Sequence, residues 1–220
     1  MDDAAYAQAL QKLLAQETLP HYRHCHIFYN FKEVLAVPQQ LYLAAEAGAM
    51  LSDVYGANAS DRQLTTELTE ATLIYRVPNA VFEALGNRFY GATTSHTNAC
   101  LFNLKKEGLY CVVYSSYIKC VLTTNGTVQL LQSYPYQSPA DVAYLLLNIC
   151  TQHGLSPAEI ELTMGGFIDR QSHLYEEVYK YFMKIQLDTI PENASLAADI
   201  EANCPPHFFS YLIHLIQCAS

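Results

Sequence analysis

Two small-residue turns and two clusters of histidine and cysteine are the residues of this chain whose types and spacing could do chemistry. Gly165 and Gly166 follow the strand-like stretch Ile160–Met164 and precede Phe167. A glycine pair after a strand lets another group approach the backbone, and the N-terminus of the next helix, near Ser172, favours an anion. Ser115 and Ser116 would line the same cleft. The plainer reading of the glycine pair is a tight turn between a strand and a helix. His21, His24, Cys25 and His26 form the first cluster. An extended Arg23–Ile27 puts His24 and His26 on one face and Cys25 on the other. Two imidazoles on one face could begin a zinc site, but no Cys-x-x-Cys pair completes it. The alternative is a satisfied strand edge. In the second cluster Cys204 lies near His207, and Pro205 and Pro206 between them predict a helix start.

These residues are positioned by the run Leu109–Ile190. Leu109–Tyr114 is an unbroken β-forming stretch, as in a strand covered on both faces. Ser115 and Ser116 turn into a second strand, Tyr117–Leu122, with Lys119 expected to point outward. Asn125-Gly126 is a strong hairpin signal, since both residues tolerate positive φ, and Val128–Ser133 follows as a third strand. Ser138, Pro139 and Asp141 have the spacing of a capping box with proline at the first helical position. Val142, Leu145, Leu146 and Ile149 supply its apolar stripe, and Gly154 ends the helix. Ile160–Met164 is then a buried strand reached by a parallel crossover. Ser172 caps a helix with Leu174, Val178, Tyr179 and Phe182 as its stripe. Lys184–Ile190 is the last strand, closed by Pro191.

The order β-β-β-α-β-α-β resembles the ribonuclease H-like unit. Leu162-Thr163-Met164-Gly165-Gly166-Phe167 resembles the strand-to-glycine turn of the actin, sugar kinase and Hsp70 superfamily, where it lets adenosine approach the backbone. With Val37-Pro38, Tyr75–Pro78, Asp141 with Tyr144, and the aromatic-rich C-terminal helix, the chain looks like an uncharacterised bacterial family, a domain of unknown function with an actin-like ATPase fold. The resemblance implies an α/β fold of two lobes, residues 1–100 and 101–220, the first reduced. The implied sheet is mixed, a three-stranded antiparallel meander plus parallel strands, flanked by helices. It also implies a nucleotide cleft, with Ser115, Ser116, Gly165 and Gly166 as its cofactor-binding remnant.

The first half predicts a helix over Ala4–Glu17, with Leu10, Leu13 and Leu14 facing inward. Short strands are expected over His26–Phe31 and Glu33–Val37. Pro38 starts a helix running past Leu41, Ala44 and Leu51 to Gly56, and Asn58–Arg62 is a polar loop. Ala71–Val77 is a strand, Pro78 starts a helix through Phe82 and Leu85, and Thr94–Lys106 is a further helix. The lobe thus reads α-β-α-β-α, without the meander that carries an acidic phosphate turn in the resembled ATPases. The matching turn in the second lobe, Ser115-Ser116, has neither carboxylate nor glycine. Asp141 and Asp169 read as capping or first-turn residues, not as magnesium ligands. A ribonuclease H nuclease needs carboxylates at strand ends, and the fourth strand offers only Glu161. No catalytic residue and no metal ligand is assigned.

Composition bounds the rest. Of 220 residues, 51% are hydrophobic and 15% charged, enough apolar material for a core. The net charge of −9 argues against nucleic-acid or anionic-membrane binding. No 18-residue apolar run predicts membrane insertion, and the start Met1-Asp2-Asp3 is not a signal peptide, so a cytoplasmic location is expected. Seven scattered cysteines read as reduced and mostly buried. With 17 tyrosines and no tryptophan, the chain has either a tyrosine-rich core or a surface suited to protein recognition. Two functions follow. One is a non-catalytic actin-like module acting through a protein partner or self-association, with no cofactor. The other is a relative of the ATPases and kinases that binds ATP and magnesium through a divergent site.

Overall fold

The computed structural model describes residues 3–16, 24–191, 194, 197, 200 and 203–219. The chain divides into two compact units, Met1–Ala99 and Cys100–Ser220.

The first unit contains α1 (Asp3–Gln16), β1 (His26–Tyr29), β2 (Val34–Pro38), α2 (Ala47–Tyr55), β3 (Asp61–Glu67), β4 (Ala71–Pro78), α3 (Asn79–Arg88) and β5 (Thr93–His96). Strands β1 and β5 pair in parallel; β2, β4 and β3 form an antiparallel sheet in that order. Every residue of the central strand β4 is buried, including Arg76. Its guanidinium donates to Glu33 Oε2 (3.1 Å), the Gly56 carbonyl (2.8 Å) and Ser52 Oγ (2.9 Å), so the buried charge is neutralised and hydrogen-bonded. Val37, Ala47, Leu51 and Ile74 pack beside it.

This unit departs from the expected α-β-α-β-α order in four places. Pro38 ends a strand instead of opening a helix; two short 3₁₀ turns follow, Leu41 is exposed, and the helix begins only at Ala47. The loop expected from Asn58 to Arg62 gives way to β3 at Asp61. This edge strand has one large apolar residue, Leu64, and hydrophobic alternation is silent where a strand is held by backbone pairing and kept polar. A hairpin at Leu68–Glu70 therefore joins β3 to β4, where the sequence predicted no such turn. Thr93–His96 is a strand before the helix α4 (Thr97–Leu104), which carries the chain from one unit into the next. On α1, Leu13 is exposed, not inward; the expected helix end at Glu17 lies outside the described residues.

The second unit continues with β6 (Gly108–Val113), β7 (Tyr117–Thr124), β8 (Thr127–Pro135), α5 (Pro139–Gln152), β9 (Leu162–Gly166), α6 (His173–Tyr179), β10 (Ile185–Leu187) and α7 (Ser210–Cys218). The sheet order is β10-β9-β6-β7-β8, with β6, β7 and β8 antiparallel and β6, β9 and β10 parallel. The order β-β-β-α-β-α-β of the sequence is thus the order of the structure. Asn125 and Gly126 both take positive φ in the β7–β8 hairpin (53° and 71°), and Glu107 accepts from both of their amides. The capping box at Ser138 and Asp141 closes in both directions.

One sheet face buries Leu109, Cys111, Ile118, Cys120, Leu162 and Met164 against Val142, Leu146 and Ile149 of α5 and Val178 of α6. Full burial of each such aliphatic side chain contributes about 1.5–3 kcal/mol. The other face is more polar. Lys119, expected to point outward, is 3% exposed there, because β7 is an inner strand and its alternate position is also interior. Tyr179, placed on the buried stripe by its spacing, is exposed, because α6 has only seven residues; Val178 and Phe182 of the same stripe are buried as expected, Phe182 beyond the helix end. The last strand is shorter than Lys184–Ile190, pairing only over Ile185–Leu187.

Candidate functional site

The C-terminal ends of β6 and β9 lie side by side in parallel register, with Val113 opposite Gly166. Ser115 and Ser116 form the exposed turn just beyond β6, and Gly165 and Gly166 are the buried last residues of β9. The fold therefore brings all four predicted residues to one edge of the second unit's sheet. Tyr136 pins the serine turn: its amide donates to the Ser116 carbonyl (3.1 Å) and its hydroxyl to the Tyr114 carbonyl (2.6 Å). Gly166 has φ +81°, and a Cβ there would stand 2.3 Å from the Val113 carbonyl oxygen, so only glycine fits.

Gly165 is covered by its own chain. A Cβ built on it would meet Ser210 Oγ at 3.2 Å, Asp188 Cβ at 3.3 Å and the His207 carbonyl at 3.5 Å. The segment above it is the 3₁₀ turn Pro206–Phe208 and the start of α7. His207 is buried and its Nε2 lies 2.6 Å from the Ile168 carbonyl, which fixes that nitrogen as the donor. On this helix Tyr211 and Leu215 face in, while Leu212 and Ile216 are 51% and 66% exposed.

Asp188, one residue past β10, is the centre of a polar cluster that the sequence reading missed. It accepts from Tyr110 Oη at 2.7 Å and from Lys106 Nζ at 2.9 Å, and His214 Nε2 lies 3.4 Å away. Ser210 Oγ has two acceptors in reach, the His207 carbonyl at 3.2 Å and the Asp188 carboxylate. Burial alone would raise the Asp188 pKa. The hydrogen bonds from His214, Tyr110, Lys106 and Ser210 outweigh it and hold the carboxyl well below its usual range. Tyr110 is pushed far up by burial and by the Asp188 charge, so it stays protonated as the donor. The expected strand Lys184–Ile190 already included Asp188, but Gln186 on the same face is exposed, so alternation carried no sign that Asp188 is buried. Lys119 belongs to the same polar face, and desolvation lowers its pKa to about 7.

The opposite edge of the sheet carries an open cleft of about 370 Å³. Glu107, Glu159 and Glu161 line it with Ser156, Thr123 and Thr124. Among the described residues no group of three His, Cys, Asp or Glu side chains is placed to hold a metal ion. In the histidine cluster His26 is spoken for. Its Nε2 is 2.7 Å from Ser95 Oγ, its Nδ1 is 2.9 Å from Thr93 Oγ1, and its ring stacks on Phe28. His21 lies outside the described residues.

A family model described as "Protein of unknown function (DUF3822)" matches residues 1–185. The chain belongs to the DUF3822 family. None of the curated proteins matches it. Among solved structures, this DUF3822 chain is similar to a Bacteroides thetaiotaomicron protein with an actin-like ATPase fold and unknown function. The identity is 15%, the TM-score 0.77, and the match covers 89% of this chain and 79% of that one. The DUF3822 chain therefore has the actin-like ATPase fold. Weaker matches are the AlfA filament from a B. subtilis plasmid (9% identity, TM-score 0.45, 96% of this chain and 66% of that one) and the cytoplasmic domain of EpsL from the Vibrio cholerae type II secretion system (11%, TM-score 0.43, 72% and 65%). Asp188, the Pro206–Phe208 turn and α7 all lie beyond the stretch matched by the family model. Among the described residues no helix is long and apolar enough to cross a membrane.

Proposed function

We propose that this chain is a non-catalytic actin-like module that works through contact with a protein, a second copy included, and not through turnover of a nucleotide. The observation that carries this reading is the cover over Gly165. Ser210, His207 and Asp188 fill the approach that a strand-end glycine would leave open to a ligand. The Asp188 carboxylate is taken up by Tyr110, Lys106 and His214 of the same unit. The apolar side chains left outside favour a protein surface: Leu212 and Ile216 on α7, and Phe167, 63% exposed with its ring edge-on to Phe208.

A second reading keeps ATP and magnesium at the edge formed by Ser115, Ser116, Gly165 and Gly166. What favours it is that the four residues share one sheet edge, at the carboxyl ends of parallel strands, where ligands of open α/β sheets bind. Thermal unfolding of the full chain with increasing ATP and magnesium separates the two. The protein-contact reading expects a constant melting temperature. A rise that grows with the logarithm of ATP concentration, and is lost in S115A/S116A, overturns it in favour of the second. Sedimentation across a concentration series then asks whether the partner is another copy: the mass of the wild type rises and that of L212K/I216K stays monomeric if it is.

A further inference from the structure

The last turn of α7 brings a second pair of side chains together. Cys218, the final residue of the helix, is exposed, and Cys100 on α4 is fully buried. The two side chains lie within hydrogen-bonding reach of each other. His214 lies one helical turn before Cys218, on the side of α7 that meets Asp188. Both cysteines belong to the second unit.

We propose that Cys218 is a peroxide-oxidation site and that Cys100 is its resolving partner, so that oxidation links α4 to α7 through a disulfide. The Cys218 thiolate attacks one oxygen of the peroxide and breaks the O–O bond. Its sulfur becomes a sulfenic acid, and the second oxygen leaves as hydroxide and is protonated to water. Cys100 then gives up its proton, its sulfur attacks the Cys218 sulfur, and the sulfenic oxygen leaves as water. Two thiols and one peroxide become one disulfide and two waters.

Three features of the pair support this sequence. Cys218 is the exposed residue of the pair, and Cys100 is the buried one beside it. The hydrogen bond from Cys100, against an opposing cost of burial, and the neighbouring His214 hold the Cys218 thiol down at about 7. Burial and the Cys218 contact keep Cys100 protonated until it resolves. The other buried pair, Cys111 opposite Cys120 in β6 and β7, is fully enclosed, and burial with mutual contact pushes the Cys120 thiol up, so it lacks an entry point.

The test treats the full chain with one equivalent of hydrogen peroxide at pH 7, then alkylates, digests and identifies peptides by mass spectrometry. The expected product is a Cys100–Cys218 linked peptide that dithiothreitol removes. C100S should accumulate a Cys218 sulfenic acid that dimedone traps, and C218S should leave Cys100 reduced at the same dose. If either variant fails to fold, the wild type alone decides through the rate at Cys218, expected to be faster in the folded chain than in urea. A Cys218 that reacts no faster than in the unfolded chain, or is consumed while Cys100 stays free to alkylation, overturns the proposal.

Discussion

Gly165 and Ser210 stand in a relation that leaves no space for a methyl group: a Cβ on the glycine would lie 3.2 Å from the serine Oγ. Gly165→Ala should therefore destabilise the chain by about 1–3 kcal/mol through overpacking. Gly166→Ala should cost more, about 3 kcal/mol or above, because positive φ adds to a backbone contact that cannot yield. Urea unfolding checks both, with a shifted midpoint and an unchanged slope.

Asp188→Asn should cost about 2–4 kcal/mol, since it strips the charge from a buried cluster and leaves Lys106 without its counter-ion. The pH dependence has a definite sign. The folded-state pKa lies below the unfolded value near 3.9, so the contribution is fully present above about pH 5. It is lost as pH falls through 4 toward the folded pKa. The variant should show a flatter acid limb in a plot of unfolding free energy against pH.

Lys119 has the opposite proton linkage. Desolvation places its folded pKa at about 7, below the usual 10.4, so the unfolded chain binds more protons between these values. Stability should then rise with pH from about 7 toward 10, by an amount on the order of a few kcal/mol, before the buried tyrosines begin to titrate in the unfolded chain. Lys119→Met, which keeps length and loses charge, should remove this rise. Equilibrium unfolding at pH 7 and pH 9.5 for both proteins tests it.

On the outer side of α7, L212K/I216K should leave folding stability within about 0.5 kcal/mol of the wild type, because both side chains are exposed. A change in association without a change in unfolding midpoint would mark the pair as a contact surface. A large loss of stability would instead make them part of the fold.

The second unit was legible in the sequence because its signals are local and redundant. Asn125-Gly126 states a turn chemistry, Ser138 and Asp141 state a cap, and the strands on either side of Ser115 are almost purely apolar. The first unit was not, because β3 is polar along most of its length and β5 is only four residues; both are held by long-range pairing that leaves little trace in periodicity. Lys119 was misread for a related reason. Alternation says that a residue faces away from its neighbours, not what lies on the other side. The four residues at the ends of β6 and β9 were expected together from turn composition and the resemblance, and the pairing of those strands brings them to one end of the sheet. Asp188 was not, since its partners come from two separate stretches of the chain, Lys106 and Tyr110 in one and His214 in the other. The contact between Cys100 and Cys218 likewise spans more than half of the sequence.

A strand without side chains at its end borrows its packing from elsewhere. A protein stopped after Cys204 would keep β1 to β10 but expose a bare furrow above β9, floored by peptide groups and walled by Tyr110 and Asp188, with an ionised carboxylate newly open to water.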